Sequence, residues 1–225
     1  MPVTPIVRGG TIATGINVFT LPAERQAALI ETLTAINHEI ITHRYPMVVS
    51  ANFHRALDAS IIINYNQYTD RAQGQFLRTQ ANVAPLMKRT HDLSEGHEIR
   101  WYAIADVVTA HGPGDRIEIR DDGSAIGVVG IFTVAAEKQA ALLDLLKRYG
   151  ETLKAAGAMG FGGIATHRGY QAAHVASYEQ WASVDAYRQT IARGPIADLL
   201  QQINASSDAA SFHPYEVLSV TRFQV

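Results

Sequence analysis

Apolar and polar positions alternate along this chain in two rhythms, and the order of those rhythms occurs twice. A β-branched run at 16–20 leads into an Ala/Leu-rich stretch. Its apolar residues return every three or four positions, at Ala27, Ile30, Leu33 and Ile41, which predicts a strand followed by a helix with one buried face. Extended runs at 47–56 and 60–68 meet at a tight turn near Leu57-Asp58, a predicted hairpin. Thr69-Asp70 then caps a helix that Pro85 interrupts or restarts, and a last strand covers 99–108. The same succession begins again at Val128. It gives a strand at 128–134, a helix with Ala140, Leu143, Leu146 and Leu153 on its face, and a hairpin of 161–169 with 173–181 turning at Tyr170-Gln171. A helix opened by Ser183-Val184-Asp185 and broken by Pro195 follows, then a strand at 212–223.

The two successions are copies. "VFTLPAERQAALIE" from Val18 reappears as "IFTVAAEKQAALLD" from Ile131, an offset of 113. The same offset, without a gap, carries His54-Arg55 onto His167-Arg168, Tyr65 onto Tyr178, Gln67 onto Gln180, Tyr68 onto Trp181 and Tyr102 onto Tyr215. Each unit reads β-α-β-β-α-β, the ferredoxin-like order, with its first and third strands central and both helices on one face. The other face of each sheet needs a cover, and the second copy supplies it. The predicted class is therefore α+β, two ferredoxin-like repeats packed sheet to sheet as an intramolecular dimeric α+β barrel. Residues 1–110 form the first repeat and 125–225 the second. The segment 111–124, with "HGPGD" and "RDDGS" around a strand-like 116–120, is the linker.

Composition narrows the partners. A formal net charge of −2 offers no phosphate-binding stripe and no polybasic anchor, which argues against nucleic acid and membrane surfaces. The absence of cysteine excludes disulfides, a thiolate nucleophile and Cys-based metal sites. No export signal or spanning run is visible, so a soluble, cytoplasmic protein is expected, with a homodimer of the duplicated chain open. "HEIITH" at 38–43 places its histidines about 140° apart around a helix, which argues against a metal site there. "GAMGFGG" from Gly157 runs from helix to strand, the reverse of a dinucleotide-binding loop. It reads as a turn and a glycine-thinned strand start, with space for a large ligand as the alternative.

The hairpins and their exits, "HRALDASIIINYNQYTDRAQ" and "HRGYQAAHVASYEQWASVDAYRQ", resemble the antibiotic biosynthesis monooxygenase family, with its His-Arg, turn, Asn-Tyr-x-Gln-Trp, Ser-x-x-x-Tyr pattern. The resemblance spans both copies and implies the dimeric α+β barrel. It also implies oxidation of anthrone or quinol intermediates of aromatic polyketides by molecular oxygen, with neither metal nor bound cofactor. Asn17 and Asn64 match family asparagines, while Tyr68 stands where the tryptophan belongs. The second copy has the tryptophan as Trp181 and the tyrosine as Tyr187, but Gly130 and Ser177 replace the asparagines.

Asn64, Asn66 and Tyr68 alternate along one strand and share a face, beside which Asn17 can lie. Amide donors from Asn17 and Asn64 suit an enolate oxygen, Tyr68, Trp181 or Tyr187 suit the walls of a flat pocket, and His54 or His174 could remove a proton. Asn66, His174 and Ser177 are the candidate substrate contacts. The repeated His-Arg pair reads instead as structural, through turn hydrogen bonds or salt links between repeats. Three functions stay open: a quinone-forming oxygenase of aromatic polyketides; a ring-opening oxygenase taking reduced flavin from a separate reductase; and a non-catalytic barrel binding a small molecule or haem.

Overall fold

Eight antiparallel strands close into one barrel, with six helices outside it, in a computed structural model that describes residues 3–110, 114–192 and 194–223. In chain order the elements are β1 (Thr4–Val7), β2 (Ala13–Thr20), α1 (Ala23–His43), β3 (Val48–Ala56), β4 (Ile61–Tyr68), α2 (Arg71–Leu77), α3 (Ala84–Leu93) and β5 (Gly96–Thr109). There follow β6 (Arg116–Ile119), β7 (Ile126–Thr133), α4 (Gln139–Ala155), β8 (Phe161–Gly169), β9 (His174–Trp181), α5 (Val184–Ile191), α6 (Gly194–Ala205) and β10 (Ala209–Arg222). Pro85 and Pro195 restart helices: each stands in the first turn of α3 or α6, where a missing N–H costs nothing. Asp70 and Ser183 cap the helices before them, their side chains accepting from Gln73 N and Ala186 N.

Barrel order is β10-β3-β4-β2-β5-β8-β9-β7, so the first and third strands of each repeat are neighbours, as the repeat pattern requires. The two sheets are joined at their edges as well as facing each other, because each repeat's last strand is 14 residues long and serves both sheets. In β5, Gly96–Ala103 pairs with β2 and Tyr102–Thr109 with β8. In β10, Ala209–Tyr215 pairs with β7 and Tyr215–Arg222 with β3. Closure leaves the barrel without an edge strand.

Three cores result: one inside the barrel, one between the first repeat's sheet and α1–α3, and one between the second's and α4–α6. In α1, Leu33 is buried as expected and Ile30 partly so; Leu29, Ile36 and Ile40 complete the stripe, while Ala27 and Ile41 are exposed. The expected and observed series both fit a 3.6-residue period, and only docking on the sheet chooses between them. In α4, Leu143, Leu146 and Leu153 are buried as expected, joined by Leu142 and Tyr149, while Ala140 faces solvent.

The N-terminal strand β1 was not legible as an element. It pairs with β6 from the expected linker, whose residues 111–113 lie outside the described residues, and this two-stranded ribbon covers the barrel interior where β4 and β9 end. Ile6, Ile117 and Ile119 enter the interior core. Gln67 donates to the Pro5 carbonyl at 2.9 Å and Gln180 to that of Glu118 at 2.8 Å, which explains why this glutamine repeats. The space left by Gly163 is filled by Ile117 and the Val108 carbonyl, so the thinned strand start packs against protein.

Candidate functional site

On β4, period-two alternation turns Asn64, Asn66 and Tyr68 toward the helices α1–α3. Asn17 lies beside them on β2 as the register partner of Asn64. All four are buried. Two residues of β5 complete the cluster. His97 Nε2 lies 3.3 Å from Asn17 Oδ1, and its ring stacks on Phe19 with centroids 4.4 Å apart. Trp101 packs on Tyr68 at 5.2 Å, and a side chain at Gly74 would overlap its indole, so glycine is what lets α2 lie this close. Asn66 Nδ2 donates to the Tyr68 hydroxyl at 3.3 Å. The side-chain oxygens of Asn64 and Asn66 are buried without a partner among the described residues. An orphaned buried polar atom costs about 1–3 kcal/mol, so two in one cluster mark a face kept polar against stability.

Burial, reinforced by the nearby charges of Arg78 and His91, lowers His97 to about 4. The ring is therefore neutral near pH 7. With the Asn17 oxygen accepting from Nε2, Nδ1 is the proton-accepting nitrogen and Asn17 keeps its N–H groups for another partner. His97 and Trp101 were not singled out in the sequence. A signal was there: the offset of 113 maps them onto Ala210 and Pro214, so they belong to the first copy alone.

In the second repeat the corresponding face is a packed core. Trp181 is fully buried, 5.5 Å from the Tyr187 ring. Its indole N–H donates to Glu179 Oε2 at 2.9 Å, and the Tyr149 hydroxyl donates to the same oxygen at 3.4 Å. Burial pushes the Glu179 carboxyl up to about 7 despite those two donors. Glu179 occupies the place of Asn66 and was also missed, as the variable residue of the pattern. Ser177 Oγ and Glu179 Oε1, at the positions of Asn64 and Asn66, are likewise buried without a partner among the described residues, so the contrast between the copies lies in the residue types and not in the orphaned atoms. A Cβ at Gly130 would come within 2.5 Å of the Ser177 hydroxyl and 2.9 Å of the Phe132 and Phe212 rings, so no asparagine fits where the first copy has Asn17.

Two expectations are corrected. His54 is not beside the asparagines: it points into the barrel, where its Nε2 meets the Tyr178 hydroxyl at 3.2 Å, matched by Tyr65 and His167 at 2.7 Å. The repeated histidines are thus reciprocal links between repeats, and Arg55 adds a salt bridge to Glu216. Burial lowers both rings to about 4. His174 lies at the junction of β9 with the first repeat, not on the asparagine face. Nor do the two half-sets meet. The asparagines and Tyr68 belong to the core under α1–α3, Trp181 and Tyr187 to that under α4–α6. Recesses of about 610 and 340 Å³ lie elsewhere, the first by Ile40, Arg44 and Phe223, the second by Met159 and Ile196.

The chain is 31% identical over 70 residues to Tetracenomycin-F1 monooxygenase of Streptomyces glaucescens, a stretch covering 31% of this chain and 62% of that protein, less than two thirds of its length. Its fold matches an anthrone oxidase-like protein with a TM-score of 0.86 at 20% identity, over 99% of this chain and 98% of the other. The resemblance to antibiotic biosynthesis monooxygenases holds in sequence and in fold. A monooxygenase candidate from Fusobacterium nucleatum is similar at a TM-score of 0.66 and 10% identity, over 95% of each chain. No family model matches the chain. At such identities the solved structures speak for the double-repeat barrel alone.

Proposed function

We propose that this protein is a monooxygenase acting on an aromatic polyketide of the anthrone or quinol type, with molecular oxygen as co-substrate and no metal or bound cofactor. The observation that carries the reading is the buried face of Asn17, Asn64 and Asn66, with partly buried His97 against Asn17, beside Tyr68 and Trp101. The similarity to Tetracenomycin-F1 monooxygenase supports the substrate class.

The reacting C–H of an anthrone lies between two aromatic rings and is acidic because its conjugate base spreads charge through them onto the carbonyl oxygen. His97 Nδ1 takes that proton, and the amide N–H groups of Asn17 and Asn64 hold the enolate oxygen. Tyr68 and Trp101 stack on the rings and exclude water. The carbanion passes one electron to oxygen, superoxide and the carbon radical join as a hydroperoxide, and loss of water leaves the quinone. The balance is one anthrone and one O₂ to one quinone and one water. Because the asparagines are buried, admission of a tricyclic substrate requires α2 and α3 to move off the sheet.

The test is oxygen uptake by the purified protein with anthrone, with and without reduced flavin. Uptake with anthrone alone, lost in Asn64→Ala and His97→Gln with unchanged melting temperatures, is expected. Uptake that appears only with reduced flavin overturns the cofactor-free chemistry, and none under either condition overturns the oxygenase.

A further inference from the structure

The hairpin turn between β8 and β9 abuts α2 and β5 of the first repeat, and there Arg71, Arg100, Trp101, Tyr170 and His174 line a cavity of about 40 Å³. Two guanidinium groups, an imidazole, an indole and a phenol ring face it. The Arg71 guanidinium sits 5.5 Å from the centre of the Tyr170 ring. Arg71 Nε and His174 Nδ1 are buried atoms with no hydrogen-bond partner among the described residues. Arg100 donates through Nε to Glu98 at 2.6 Å and through one terminal nitrogen to Thr133 at 3.4 Å. One carboxylate thus stands against two guanidinium groups, and the excess at the cavity is positive.

The duplication supplies a control. The offset of 113 carries Arg71, Arg100, Trp101, Tyr170 and His174 onto Val184, His213, Pro214, Leu57 and Ile61. The opposite joint of the barrel closes without either arginine or the tryptophan, so joining the repeats does not require them. Their presence at one joint needs another reason. Trp101 supplies it, because the same indole that lines this cavity packs on Tyr68 beside the asparagine face.

We propose that this cavity is a recognition subsite for a carboxylate carried on the aromatic substrate, gripped by Arg71, Arg100 and His174 across Trp101 from the asparagine face. The volume suits a small group: a void of about 40 Å³ holds a few water-sized groups and is lined by the N–H donors a carboxylate needs. Guanidinium groups favour carboxylates through charge-assisted, paired hydrogen bonds. The assignment rests on the reading that the first repeat binds the aromatic rings.

Titration of tryptophan fluorescence with anthraquinone-2-carboxylate and with its neutral carboxamide tests it. The carboxylate is expected to bind the full chain roughly tenfold more tightly than the carboxamide. Arg71→Gln and, separately, His174→Gln should reduce that ratio, Arg71→Gln to near parity, with Arg71→Lys intermediate. Equal affinities in the unsubstituted protein, a preference that survives Arg71→Gln, or no binding of either compound would each overturn the subsite. Oxygen uptake with anthrone is read separately, so a carboxylate preference without uptake sinks the oxygenase and leaves the subsite standing.

Discussion

Replacing Glu179 with Gln should alter how stability depends on pH. Glu179 is fully buried among Trp181, Tyr149 and Tyr187, and burial raises its carboxyl from 4.5 to about 7. A carboxyl whose folded value lies above its unfolded value stays protonated in the fold after the unfolded chain has released its proton. Its stabilising effect is therefore complete below about 4.5 and is lost as pH rises to about 7. The shift corresponds to about 3 kcal/mol, a large part of the roughly 5–15 kcal/mol that holds a domain folded. Gln keeps an oxygen for the Trp181 and Tyr149 donors and carries no charge at any pH. The assay is urea unfolding of both proteins at several pH values from 4 to 8, followed by tryptophan fluorescence. The other titrating groups are common to both proteins and cancel in the difference. That difference should move by about 3 kcal/mol in favour of Gln between pH 4.5 and 7, then level off. A constant difference across the range would refute a neutral buried carboxyl.

His54 and His167 set the opposite trend, since both are lowered from 6.5 to about 4. Their contribution is intact above pH 6.5 and falls away toward pH 4, by up to about 3 kcal/mol each. His54→Gln should flatten the acid limb of the denaturant midpoint against pH, and an unchanged slope would count against it. Asn17→Ala should cut turnover of an anthrone substrate roughly 100-fold, as loss of one enolate donor does, with the melting temperature nearly unchanged; full activity would remove Asn17 from the site. Gly74→Ala should lower stability by about 1–3 kcal/mol by overlapping Trp101, outweighing the helix-propensity gain of about 1 kcal/mol; a rise in melting temperature would contradict the close approach. Arg55→Ala should cost less than about 1 kcal/mol in chemical denaturation, because both partners of its salt bridge are substantially exposed, at 40% and 43%.

Local periodicity determined the repeat itself: the strands, the hairpins, the proline-restarted helices and the shared face of Asn64, Asn66 and Tyr68. Each depends on residues within a few positions of one another, or on a register that a duplication preserves. Neighbours across strands depend on pairing, and pairing is long-range. Asn17 meets His97 because β2 lies between β4 and β5, and Trp101 reaches Arg71 and His174 because β5 is long enough to cross from one repeat to the other. His54 was misplaced for the same reason. Through its register with β4 it pairs with Ile63, the neighbour of Asn64, and so takes the face that turns into the barrel. Which copy keeps asparagines on this face was likewise decided by packing. Phe212 and Ser177 leave no room at Gly130 for an asparagine, and burial raises the Glu179 carboxyl in the core to about 7. Sequence period fixes which side of a strand a residue occupies relative to its own neighbours, whereas closure of the barrel fixes what stands opposite it.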